Sequence, residues 1–269
     1  MYLEFYGLKE FPFNITPDPR FLYLSPYHKE AYDHVMYGIK ARKGFIELTG
    51  EVGSGKTTLC RAVLANLDNT VETALILNPS LTETQLLRAM LNDFGLDPKG
   101  KDRLDYIEIL NDFLLAKSQQ GINVALLIDE AQNLSPQVME QIRLLSNLET
   151  DQQKLIQIVL CGQPELQKRL ARPDLRQLRQ RITVRYHIRP LTFEDTMMYI
   201  RHRLWVAGNN GNLTFDQPAF KEVHRYSKGG PRVINAICDI ALLAGYVDKK
   251  HAIDARCIRK AIEQLEGIQ

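Results

Sequence analysis

The stretch "LTGEVGSGKTTLC" (residues 48–60) constrains the fold of this chain more than any other part of it. Gly50-Glu51-Val52-Gly53-Ser54-Gly55-Lys56-Thr57 fits G-x-x-x-x-G-K-[ST] without a gap. Glycines at those places let the backbone curl so that successive N–H groups point inward, and a following helix adds its positive N-terminal end. Lys56 is expected to reach the β- and γ-phosphates of a nucleotide, and the Thr57 hydroxyl to hold Mg²⁺. A plain glycine-rich turn is the competing reading. The β-forming "FIEL" before the loop and "TTLCRAVLANL", with helical apolar spacing, after it favour the phosphate site. Gly50, Glu51, Val52, Gly53, Ser54, Gly55, Lys56, Thr57 and Thr58 are therefore the expected nucleotide-binding residues.

The rest of the chain alternates in the way such a loop requires. Ser25-Pro26 opens a helix that runs to Gly44, strand 45–49 follows, and helix 56–67 leaves the loop. "TALILN" (73–78) reads as a buried strand, and Thr82 to Gln85 has capping-box spacing for a helix ending near Gly95. A helix over about 103–119, strand 123–129, a helix from Ser135-Pro136 to Asn147, strand 155–161, a short helix near 165–172 and strand 182–188 complete the alternation. Strands separated by helices predict a parallel sheet covered on both faces. Beyond Thr192 the pattern turns to helices only, over about 193–207, 216–227, 231–246 and 255–265. Two domains are expected, 1–190 and 191–269, the second all-helical.

Composition excludes several classes. The 269 residues are 45% hydrophobic and 25% charged, ordinary for a globular protein, and the net charge of +2 makes no case by itself for nucleic acid. Cys60, Cys161, Cys238 and Cys257 form no C-x-x-C pair and read as reduced thiols. "MYLEFYGLKEFPF" lacks the basic and apolar regions of a secretory signal, and no apolar run is long enough for a membrane span. The expected location is the cytoplasm, or the inner face of the inner membrane through a partner.

A second chemical landmark is "VALLIDEAQNL". Its apolar run delivers Asp129 and Glu130 to the C-terminal edge of a buried parallel strand, where such sheets bind ligands. Asp129 is expected to hold Mg²⁺ through its water shell, and Glu130 to position and deprotonate an attacking water. The tetrapeptide DEAQ also occurs in helicases, but those need two core domains, which 269 residues with a helical second half do not hold.

The opening "YGLKEFPFNITPDPRFLYLSPYHKEAYDHVMYGIKARKGFIELTGEVGSGKTTL", with "DEAQNL", "IVLCGQPEL" and "GGPRVINAICDIALLAG" farther on, resembles the ATPases of the ExeA type, within the AAA+ superfamily. The likeness covers nearly the whole chain. It implies an α/β P-loop AAA+ core with a five-stranded parallel sheet, a helical lid, hydrolysis of ATP with Mg²⁺, and a homo-oligomer, a hexamer or a helical assembly, in which a neighbouring subunit completes each site. It further implies a protein client in secretion, pilus or surface-polymer export. Full-length relatives of this type carry a membrane span and a peptidoglycan-binding domain after the ATPase. AAA+ ATPases that assemble on DNA to regulate transposition are the alternative class. A nucleotide-binding scaffold without turnover is disfavoured by the presence of Lys56, Asp129 and Glu130.

Carried over by position, Gln163 matches the polar sensor of the γ-phosphate and Arg232 the lid's sensor arginine. Arg181 stands in the usual place of the arginine finger, with Arg179 and Arg176 as alternatives. His28 and Glu30 fall in the segment that flanks adenine, beside Tyr23 and Leu24. Arg169, Arg172, Arg176, Arg179, Arg181, Arg185, Arg189, Arg201 and Arg203 cluster in sequence with few aromatics between them, which favours a subunit interface over a DNA footprint. Asn78, closing "TALILN", is expected either to restrain Glu130 or to be a plain turn residue before Pro79.

Overall fold

The computed structural model describes residues 2–16, 18–77, 79–99, 102–150 and 153–267. In chain order its elements are α1 (Tyr2–Tyr6), α2 (Pro26–Lys40), β1 (Phe45–Gly50), α3 (Lys56–Ala65), β2 (Val71–Ile76), α4 (Glu83–Asp93), α5 (Arg103–Gln119) and β3 (Asn123–Ile128). They continue as α6 (Pro136–Leu145), β4 (Gln157–Gly162), α7 (Pro164–Leu170), α8 (Arg176–Arg181), β5 (Ile182–Ile188), α9 (Phe193–Val206), β6 (Thr214–Phe215), α10 (Gln217–Ser227), α11 (Pro231–Val247), β7 (Ala252–Ile253) and α12 (Ala255–Glu266). By contacts the chain divides into two units: residues 29–50 with 59–188, and residues 1–28 with 51–58 and 189–269.

The first unit is built on a five-stranded sheet in the order β2-β3-β4-β1-β5, every neighbouring pair parallel. Strands β1, β3 and β4 are buried along their whole length, as continuous apolar runs in a doubly covered sheet must be. Phe45, Leu126, Ile128, Ile158 and Leu160 join one cluster with the apolar faces of α4, α5 and α6. Ile46, Leu48, Leu127 and Val159 join a second with α2 and α3, so alternate side chains of each strand feed opposite cores. A carboxylate is buried within β1. Glu47 is 4% exposed and meets Arg185 of β5 at 3.3 Å.

Strand β2 lies two residues earlier than its apolar pattern predicts. Its register against β3 runs from Val71↔Asn123 to Ile76↔Ile128, so pairing with an already buried neighbour decides the ends. The strand stops at Ile76, and Asn78 lies outside the described residues. The Thr82–Gln85 capping box is present, with the Thr82 hydroxyl accepting from Gln85 N and the Gln85 side chain accepting from Thr82 N.

The second unit joins the two ends of the chain. Tyr2, Tyr6, Leu8, Phe13 and Phe21 pack into one cluster with Tyr199, Ile234, Leu242 and Ile258. The Tyr6 hydroxyl donates to the Leu242 carbonyl at 3.0 Å, and the buried Arg203 guanidinium donates to the carbonyls of Pro12 and Asn14. The C-terminal part is not wholly helical as its sequence suggests. Thr214-Phe215 and Ala252-Ile253 form a two-stranded parallel pair, too short to leave a periodic signal. Each strand runs straight into an aspartate that caps the next helix, Asp216 for α10 and Asp254 for α12.

Candidate functional site

Parallel strands bring their C-terminal ends to one edge, and the registers fix which residues share it. Thr49 pairs with Gly162 across β1 and β4, and Ile128 with Leu160 across β3 and β4. Gly50, Asp129 and Gln163 therefore follow one another along the same edge of the sheet, and the loop 51–55 leaves from it directly after Gly50.

The loop has the conformation its glycines predict. Gly53 and Gly55 sit at φ +72° and +92°, where a side chain would be strained. A Cβ on Gly53 would also lie 2.4 Å from the Cβ of Arg232. An anion-binding loop needs its N–H groups turned inward and its carbonyls turned away, and each of those carbonyls needs a donor. Three of them have one. Glu51 O accepts from Ser54 N at 3.1 Å and from the Lys56 ammonium at 2.9 Å. Gly53 O accepts from Arg232 N at 3.2 Å, and Ser54 O takes the His28 imidazole Nε2–H at 2.8 Å. The Ser54 hydroxyl is buried without a hydrogen-bond partner, and Lys56 is only 5% exposed. Backbone donors, one held ammonium and one unsatisfied hydroxyl fit a phosphate group.

Past β3 the backbone turns sharply. Glu130 adopts the left-handed conformation at φ 51°, uncommon for a residue with a side chain. Its N–H donates to the Asp129 carboxylate at 2.9 Å. One of its own carboxylate oxygens, Oε2, accepts two amides, from Gln132 at 2.5 Å and from Gln163 at 3.0 Å. The other end of the Gln132 amide is fixed too, with its Oε1 accepting from Gln163 N at 3.0 Å. A Cβ at Gly162 would come within 2.9 Å of that oxygen. Arg169 of α7 holds the same turn by donating to the carbonyls of Gln132 and Leu134.

The structure brings Asp129, Glu130 and Gln163 together and adds Gln132 of the DEAQ stretch, which the sequence does not single out. Arg232 stands at the first turn of α11 with its backbone on the phosphate loop. Arg181 does not project outward. Its guanidinium donates to Ser146 Oγ at 2.5 Å and to Arg143 O at 3.3 Å, closing the C-terminal end of α6, where carbonyls lack helical partners. Arg176 and Arg179 are exposed. Of the residues expected beside adenine, His28 turns onto the phosphate loop, and Glu30 accepts from the Tyr186 hydroxyl at 2.8 Å. Tyr23 packs edge-on against Tyr199, and Leu24 is 44% exposed. Among the described residues no helix is long and apolar enough to cross a membrane.

Residues 39–170 match the family model described as AAA domain. The whole chain is 49% identical to General secretion pathway protein A of Aeromonas hydrophila, of which it spans 49%. The chain thus covers about half the length of the curated relative it matches. Solved structures of similar fold include the Aeropyrum pernix ORC2 protein in its ADP form, with a TM-score of 0.69 at 14% identity over 89% of this chain and 67% of that one. The A. pernix ORC1 protein in complex with DNA gives 0.69 at 16% identity over 94% and 68% of the two chains. The Thermotoga maritima RuvB Holliday junction branch migration motor gives 0.58 at 18% identity over 88% and 69%.

Proposed function

This chain belongs to the AAA+ ATPases of the ExeA type, and on that premise we propose that it binds and hydrolyses ATP at the subunit interfaces of a homo-oligomer, driving assembly or remodelling of a secretion or surface-export machine from the cytoplasmic side. The observation that carries the proposal is the phosphate loop, whose carbonyls at Glu51, Gly53 and Ser54 are all tied to donors, as an anion-binding loop requires.

In this reading the loop and Lys56 bind the β- and γ-phosphates. Mg²⁺, for which Thr57 and Asp129 are the proposed ligands, would supply charge neutralisation on those oxygens. Glu130 orients the attacking water and takes its proton, a role that needs its carboxylate released from Gln132 or Gln163. Gln163 senses the γ-phosphate and Arg232 brings the lid side of the site to it. The arginine acting on a neighbouring subunit's nucleotide comes from Arg176 or Arg179, the two exposed members of the candidate trio.

The test is nucleotide binding and phosphate release by wild type and Lys56→Ala, with and without duplex DNA. Loss of binding in Lys56→Ala, with wild-type turnover indifferent to DNA, supports the export ATPase. Strong stimulation by DNA moves the chain to the class that works on nucleic acid. Binding unaffected by Lys56→Ala overturns the site.

A further inference from the structure

We infer that His28 is a positioning residue of the phosphate loop, holding the Ser54 carbonyl turned away from the anion so that the neighbouring N–H groups can face it. The inference deepens the nucleotide reading and rests on it.

His28 lies in the first turn of α2, is 3% exposed, and touches polar groups at both ring nitrogens. Nε2 stands 2.8 Å from Ser54 O, and a carbonyl can only accept, so this nitrogen carries the proton. Nδ1 stands 2.7 Å from the hydroxyl of Ser25, which is fully buried. The Ser25 Oγ also accepts from the His28 backbone N–H at 3.3 Å, which leaves its own proton for Nδ1. One neutral tautomer satisfies every donor and acceptor in this set. Burial lowers the pKa of the ring, in the same direction.

The other two anchored carbonyls of the loop are held by backbone N–H groups and by Lys56, all of which belong to the expected nucleotide machinery. His28 is different. It reaches the loop from 26 residues upstream and can be replaced without altering the G-x-x-x-x-G-K-[ST] stretch. Gly55 stands close beside it, since a Cβ there would lie 3.4 Å from Nε2. A buried carbonyl left without a donor costs about 1–3 kcal/mol and is relieved by rotating the peptide. Rotation of the Ser54–Gly55 peptide would turn the Gly55 N–H out of the loop.

The test uses the full chain with two substitutions of similar length, His28→Gln, whose amide can still donate, and His28→Met, which cannot. Hydrogen exchange of the amides from Gly53 to Lys56 is followed without nucleotide, and ADP affinity is measured by calorimetry. His28→Met is expected to exchange faster and to bind ADP about tenfold more weakly, the scale of one unsatisfied carbonyl. His28→Gln is expected to stay within about threefold of wild type. Wild-type exchange and affinity in a folded His28→Met variant, or a His28→Gln variant as impaired as His28→Met, overturns the assignment. Should His28→Met fail to fold, the ¹⁵N shifts of the wild-type imidazole decide. A neutral ring protonated on Nε2 supports the role, and one protonated on Nδ1 overturns it. Exchange and tautomer are read without nucleotide, so a wild type that binds no ADP counts against the ATPase reading and leaves this one to be judged separately.

Discussion

Gln132 and Gln163 converge on a single oxygen of Glu130, their side-chain amides lying 2.5 and 3.0 Å from its Oε2. They are also joined to each other, through Gln163 N and Gln132 Oε1. A carboxylate so held is aimed, and it is also engaged. Hydrogen bonds to a charged group contribute about 1.5–3 kcal/mol each, so one of the two has to yield before that oxygen serves a water molecule.

Replacing Gln132 by Ala is expected to loosen the hold while leaving Gln163 in place. Basal ATP turnover should rise, by up to about tenfold if about 1.4 kcal/mol of the hold is removed. Stimulation by a client should shrink, and ATP affinity should change little. Steady-state kinetics with and without client measures all three. A drop in basal rate would mean that Gln132 aims Glu130 and does not restrain it.

Glu130→Gln keeps the shape of the side chain and loses the base. Turnover is expected to fall by about 10²–10⁴ with ATP binding retained. A nucleotide-bound oligomer should accumulate, visible by light scattering. Hydrolysis at the wild-type rate would remove Glu130 from the mechanism.

The arginines of α8 separate by what they touch. Arg181→Ala removes the donor that closes α6 and is expected to lower the melting temperature by about 2–4 °C for each kcal/mol lost, with turnover largely retained in the cold. Arg176→Ala or Arg179→Ala should leave stability alone, and one of them should cut turnover by about 10³. Mixing that variant with Glu130→Gln subunits should restore activity at mixed interfaces, as measured by phosphate release.

Glu47 supplies a pH dependence. Burial raises the pKa of its carboxyl, against the opposing pull of Arg185. A carboxyl with a raised folded-state pKa favours folding below its unfolded value, about 4.5, and this contribution is lost as pH rises through the folded value. Glu47→Gln should therefore match wild-type stability in acid and gain on it toward neutral pH. Thermal unfolding of both proteins from pH 4 to pH 8 checks this, with an expected gain of about 2–4 °C at the upper end for about 1 kcal/mol. A constant difference across the range would mean that the Arg185 contact cancels the cost of burial.

The parts of this molecule written in its sequence are those set by local chemistry. The loop 50–57 needs its glycines for backbone angles, the buried strands need apolar runs, and the caps at Thr82 and Ser135 need their hydroxyls, so all were readable. Strand β2 slipped by two residues because its ends depend on β3, which local pattern does not report. Two-residue strands such as Thr214-Phe215 carry no period at all. The resemblance puts Arg181 in the place of a trans arginine, but a matched position along α8 does not give the direction of its guanidinium. Gln132 could have been singled out from its place two residues after Glu130, but only the left-handed turn at Glu130 reveals that its side chain folds back. For His28 the resemblance gives a place near the nucleotide, and only the structure gives its contact with Ser54 O.

The packing of Tyr6 against Leu242, 236 residues apart, sets a timetable as well as a structure. On the ribosome residues 2–28 emerge well before the side chains of Ile234, Leu242 and Ile258, which help to bury Tyr2, Tyr6 and Phe13. The sheet unit has all its strands once Ile188 has appeared, whereas the second unit must wait for α12. Contacts of such long sequence separation form slowly, and domains otherwise tend to fold from the N-terminus as synthesis proceeds. The aromatic segment around Tyr2, Tyr6 and Phe13 thus stays without its packing partners until α12 has been made, which makes it a natural target for a chaperone.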